Sequence, residues 1–199
     1  MSRRPDPERK PELVAQILDY LLDKPLSGLS FRTLADALDV STFTLVYQFG
    51  TRAQLLSEIV KAISAREVEI HQRLIANPGT LDVYFEGLER SWEWTLQPRN
   101  RRLQRLEFEA SMIEALDPAG HTFVRALYAR WQEIGTQALL SFGLSAEDAE
   151  VESRLMVDSF FGLQFDLVLT GDERAATAAF ARAARHHRER ITALMALPA

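Results

Sequence analysis

Apolar residues recur three and four positions apart in segment after segment of this chain, and each run is closed by proline or glycine. Val14, Ile17, Leu18, Leu21 and Leu22 keep this spacing up to Pro25 and Gly28. Phe123, Leu127, Trp131, Ile134 and Ala138 repeat it up to Gly143. Such spacing lines one face of an α-helix. No stretch alternates with period two between hairpin turns, so no sheet is expected and the fold class is all-α. The breaks at Asn77-Pro78-Gly79, Pro98, Asp117-Pro118 and Gly171-Asp172 divide the rest. They predict helices over about 52–74, from Thr80 to before Pro98, over about 100–116, from Pro118 to Gly143, from Ser145 to about Thr170, and onward to about Met195.

The segment from Phe31 to Gly50 is the most informative. Ser30 is placed to cap a short helix that turns Phe31, Leu34, Ala35 and Leu38 inward, and Ser41 to cap another that carries Leu45 inward and reaches about Phe49. Only Asp39 and Val40 join them, which is helix-turn-helix geometry. Ala35 is small where the pair must approach closely. Asp39 tolerates the left-handed backbone that such a turn often needs. The second helix would enter a DNA major groove by its N-terminal end, with Thr42, Phe43, Thr44, Tyr47 and Gln48 outward. Hydroxyls and an amide suit phosphates or base edges, Phe43 suits a thymine methyl, and Ser41 with the free amides of the helix start suits a phosphate. Ser30, Arg32 and Thr33, at the start of the preceding helix, complete the candidate contacts from this pair. Capped short helix pairs also occur in helical proteins that never meet DNA.

The run from Ser30 to Leu56 resembles the N-terminal signature of TetR-family regulators. Leu34-Ala35, Val40-Ser41, Thr44-Leu45, Tyr47, Phe49, Arg52 and Leu55-Leu56 carry the resemblance, over roughly residues 12–60. It implies nine helices, a DNA-binding domain made of the first three, a ligand cavity among the middle helices, and a homodimer built mainly by the last two. Arg52 falls where a cation at the start of the fourth helix commonly reaches the DNA backbone. Val46 and Gln48 depart from the commonest pattern, in which Tyr stands at the first position and His or Tyr at the second. The domain boundaries expected are a flexible arm at 1–10, a DNA-binding domain at 11–56 with its motif at 31–50, and a ligand-binding and dimerisation domain at 57–199. Arg3, Arg4, Arg9 and Lys10 of the arm either add phosphate contacts or are simply solvated.

Twelve of the eighteen aromatic residues lie between Tyr84 and Phe165. Most must be plain core, but as a set they suit a cavity for an apolar or aromatic small molecule. Trp92, Phe108, Met112, Phe123, Trp131, Phe160 and Gln164 are the candidate ligand-binding residues, with Glu109 and Asp166 as further polar anchors. The helix over 155–169 is apolar on several sides, and the last helix is rich in alanine. Together they fit an intersubunit four-helix bundle, with Phe161 and Ala184 expected at its interface.

Charge gives only permission. The net charge is −5, yet the seven basic and seven acidic residues of 1–56 cancel, so the deficit lies in the remainder. The chain has no cysteine, which excludes thiolate metal sites and disulfides. His71, His121, His186 and His187 are scattered or divergent, no catalytic constellation converges, and neither a cofactor, a metal nor an enzymatic activity is expected. The N-terminus lacks the apolar run of a secretory signal. The stretch from Phe160 to Leu169 is broken by Gln164 and Asp166, so no membrane association and a cytoplasmic location are expected. The expected function is ligand-responsive control of transcription, as a repressor that binds a palindromic operator in double-stranded DNA. The rival reading is a helical small-molecule carrier without DNA binding.

Overall fold

The computed structural model describes residues 9–75, 79–116 and 123–196, with the side chains of 64–75 and of Phe123 outside that description. Among the described residues there are nine α-helices, one 3-10 turn and no strand. The helices are α1 (Arg9–Leu21), α2 (Phe31–Leu38), α3 (Thr42–Phe49), α4 (Arg52–Ile75), α5 (Leu81–Leu96), α6 (Pro98–Leu116), α7 (Phe123–Ser141), α8 (Ala146–Thr170) and α9 (Glu173–Met195). The predicted breaks at Pro98 and Gly171-Asp172 fall where expected, while Asn77-Pro78 and Asp117-Pro118 lie outside the described residues. Pro98 opens α6 instead of preceding it, because a proline at the first helical position gives up no intrahelical bond. Arg9 and Lys10, placed in the arm by the sequence, already belong to α1.

The chain divides into two compact units, Met1–Ser64 with Leu106–Val124, and Ala65–Arg105 with Arg125–Ala199. In the first, α1 packs on α2 and α2 on α3. Leu13, Ile17, Leu18 and Leu21 of α1, with Leu34, Leu45 and Leu55, are fully or almost fully buried there. Burying a leucine side chain contributes about 1.5–3 kcal/mol, so this small layer holds three short helices that would not persist alone. Glu109 accepts a hydrogen bond from the Leu26 backbone N–H at 2.6 Å, a use inside this unit and not a ligand anchor.

In the second unit, α9 packs against both α8 and α5. Tyr84, Phe85, Trp92, Met156, Leu167, Phe180 and Ile191 form its core. Phe161 and Ala184, expected at a subunit interface, are buried within this unit. Trp92 lies flat on Phe180, with ring centres 4.9 Å apart, and meets Phe160 edge-on. No helix among the described residues is long and apolar enough to cross a membrane.

Candidate DNA-reading helix and ligand cavity

The start of each short helix in the first unit is closed by its own side chains. The Ser30 hydroxyl accepts from the Thr33 amide while the Thr33 hydroxyl accepts from the Ser30 amide, a reciprocal box. The Ser41 hydroxyl accepts from the Thr44 amide at 3.0 Å and lies 2.8 Å from the Thr44 hydroxyl. Between the helices Asp39 takes the left-handed conformation at φ 51°, among the described residues the sole non-glycine with positive φ. The turn that the sequence suggested is therefore formed by an aspartate, at the modest cost such a residue bears there.

These bonds sort the residues of the motif. Ser30, Thr33, Ser41 and Thr44 are committed to helix starts. Leu45 and Phe49 are buried. Thr42, Phe43, Val46 and Tyr47 are exposed, with Gln48 half-buried. Phe43 and Tyr47 keep 78% and 64% of their surface open, and their rings stack at 6.4 Å. Arg32 is exposed on α2. Arg52 donates through Nε to the Leu29 carbonyl at 2.9 Å and through Nη2 to the Leu26 carbonyl at 3.1 Å. It thus ties the start of α4 to the connection between α1 and α2, a role the sequence did not suggest. Lys10 pairs with Glu58 at 3.1 Å and lies over the Phe49 ring. Arg3 and Arg4 lie outside the described residues.

The second unit holds a cavity with about 630 Å³ of unoccupied space, counting its open side. Its walls come from α5, α7 and α8. Trp94, Trp131, Phe160 and Phe161 supply the aromatic surface, and Leu88, Met156 and Val157 the aliphatic surface. Of the residues the sequence proposed, Trp131, Phe160 and Gln164 border it. Trp92 does not: its indole N–H donates to the Thr177 hydroxyl at 3.0 Å, in the core. Trp94, two residues on, faces the cavity in its place. Phe108 and Met112 belong to the other unit, Met112 being 64% exposed, and the Phe123 side chain is outside the description.

Gly135 shapes the wall. A methyl group there would overlap the Ser153 hydroxyl and come within 3.3 Å of its Cβ, and that hydroxyl is held by its bond to the Gln132 carbonyl. Polar groups in the wall are few, and none of the lining residues is charged. Tyr84 also borders the cavity, and burial pushes its phenol pKa up, so the hydroxyl stays protonated. It lies 3.3 Å from Nε2 of His187. Burial pulls the His187 pKa down to about 4, outweighing the opposing pull of the Glu152 carboxylate. The neutral ring accepts from Tyr84 at Nε2 and turns its Nδ1–H toward Glu152, 3.7 Å away. Arg190 supplies the charge that balances Glu152, at 3.0 Å.

Neither a protein-family profile nor a curated protein matches this sequence. Solved structures do match. A TetR transcriptional regulator from Legionella pneumophila superposes with a TM-score of 0.68 at 15% identity, over 95% of this chain and 98% of that one. A transcriptional regulator from Rhodococcus sp. Rha1 gives 0.72 at 15% identity, over 95% and 99%. The multidrug binding protein EbrR, crystallised in complex with imidazole, gives 0.65 at 25% identity, over 100% and 96%. Over nearly its whole length, this chain has the fold of the TetR-family transcriptional regulators.

Proposed function

We propose that the protein is a DNA-binding transcriptional regulator that responds to a small apolar or aromatic ligand. It acts as a homodimer, represses transcription and reads a palindromic operator. The observation that carries this reading is the outer face of α3. Two large aromatic rings stand exposed and stacked on a short helix whose other face is anchored by Leu45 and Phe49. Exposed aromatic pairs of this kind mark contact surfaces. Thr42, Phe43, Tyr47 and Gln48 would meet bases and phosphates, with Arg32 and Arg52 on the backbone. Ser30, Thr33, Ser41 and Thr44 would hold the helix starts that point toward it. The neutral, aromatic-walled cavity is the sensor. It acts by preferring one of two conformations, with a coupling of about 1–3 kcal/mol.

Selection of bound duplexes from a random pool, at low and at physiological salt, tests the reading. Enrichment of two inverted half-sites about 10 base pairs apart, centre to centre, is expected. Failure to enrich any sequence at low salt, with or without a cavity ligand, would leave a small-molecule carrier in its place.

The dimer has its own support. Val151, Leu155, Phe165 and Leu169 of α8 are each at least half exposed, and Gly162 lies among them. Their spacing of three to four residues, or a multiple of it, places them on the face opposite Met156 and Leu167. A second copy offering the same stripe would bury it isologously. Leu155→Arg and Leu169→Arg should therefore yield folded monomers in sedimentation and reduce operator affinity at least tenfold. A monomeric wild type at micromolar concentration would overturn the assignment.

A further inference from the structure

Gln164 is buried in the cavity wall with half of its amide unused. Its Nε2 donates to the Thr95 hydroxyl oxygen at 2.8 Å, while its Oε1, equally buried, has no protein partner. The neighbouring bonds fix which end of the amide is which. Thr95 gives its own hydroxyl hydrogen to the Ser91 carbonyl at 3.1 Å, so toward Gln164 it acts only as an acceptor. The amide must therefore present N–H to Thr95, which leaves the carbonyl oxygen over. The other hydroxyls of the wall are already donating, Ser91 to the Gly87 carbonyl and Ser153 to the Gln132 carbonyl. In a wall of five aromatic side chains without a charged group, this oxygen is the strongest polar demand made on whatever enters.

We propose that the cavity selects a neutral, flat, largely apolar molecule that bears an N–H or O–H donor, and that Gln164 Oε1 reads this donor. The proposal rests on the reading of the cavity as a ligand site. A carboxylate or phosphate ligand would find no cation in the wall. A fixed cation would find rings but no carboxylate, since Glu152 is taken up by Arg190. A molecule of the right shape without a donor would seal the oxygen off and offer it no partner.

Indole and 1-methylindole differ at this one donor and serve as the probes. The reporter is the Met156 methyl group, which lines the cavity, observed by NMR in protein labelled at its methionine methyls. Met112 and Met195, both exposed, are internal controls. Ring currents should shift Met156 alone, and indole should bind about tenfold more tightly than 1-methylindole, a difference of about 1.4 kcal/mol. Gln164→Leu should abolish the preference by weakening indole alone, with its probe-free methionine spectrum showing that the fold is intact. Thr95→Val releases the amide to turn. It should narrow the preference and let quinoline, which carries only an acceptor, gain affinity. Equal binding of the two indoles to wild type, or a preference that survives Gln164→Leu, overturns the proposal and leaves the cavity reading standing. If neither indole shifts Met156 up to its solubility, both fall together.

Discussion

The outer face of α3 and the cavity wall on α8 use the same materials in opposite ways. On α3 the aromatic rings are exposed, while the nearby hydroxyls of Ser41 and Thr44 satisfy each other within one helical turn. On α8 the Phe160 and Phe161 rings are turned into the cavity, and the polar side chain of Gln164 finds its partner 69 residues away in the sequence. A surface that meets a large, charged, hydrated partner can leave its polar atoms to water and to local caps. An interior must assign every polar atom a partner, so an atom left over there marks what is to come.

The sharpest way to break this contrast is to change the two faces of α3 separately. Leu45 is fully buried, so Leu45→Ala should lower stability by about 3 kcal/mol, read from urea unfolding. Phe43→Ala, on the open face, should change stability by less than about 0.5 kcal/mol and relax discrimination between operator and altered base pairs by about 1–3 kcal/mol. Equal stability losses would mean that α3 is packed on both faces.

The interior of the second unit should be sensitive to acid through His187. Its folded pKa of about 4 lies below the unfolded value of 6.5, so in between the unfolded chain holds a proton that the folded one refuses. Stability contributed by the neutral ring is complete above pH 6.5 and falls as the pH drops toward 4, by up to about 3 kcal/mol. His187→Gln should flatten this limb relative to wild type in urea unfolding between pH 7 and 4. An unchanged slope would place the acid sensitivity elsewhere. The wall itself should be intolerant of added volume. Gly135→Ala would drive the Ser153 hydroxyl out of its bond to the Gln132 carbonyl and should cost about 1–3 kcal/mol, with Gly135→Ala combined with Ser153→Ala recovering part of it.

How far the sequence reached follows the range of the interactions. The helix starts at Ser30 and Ser41 and the left-handed Asp39 were legible because each rests on partners within a few residues. The nine helices of the described residues were legible because proline, glycine and spacing are local signals. The choice between Trp92 and Trp94 was not. It depends on how α5 is rotated against α9, which Phe180 and Thr177 decide from far along the chain. Phe161 and Ala184 looked like interface residues for the same reason. A helix apolar on several sides does not announce which side its own core takes, and here the core takes theirs while Val151, Leu155, Phe165 and Leu169 stay exposed. Glu109 was read as a cavity anchor although it serves the Leu26 amide, a pairing across 83 residues.

Arg52 joins the two modes, and its substitution should give the most informative pattern. Two of its donors are bound to the Leu26 and Leu29 carbonyls, while the side chain remains exposed. As a brace alone, Arg52→Ala should cost about 1–2 kcal/mol of stability, since charged donors are lost to two carbonyls, and operator binding should weaken without change in its salt dependence. If its remaining donors also meet a phosphate, the slope of log affinity against log salt should fall by about one as well, equally for operator and scrambled DNA. Arg52→Lys separates the two roles further. It keeps the charge, and so the salt slope, but cannot span both carbonyls with a planar fork, so stability should drop while the slope holds. A variant that loses slope but no stability would show that the bonds to Leu26 and Leu29 are incidental and that the residue serves the DNA backbone.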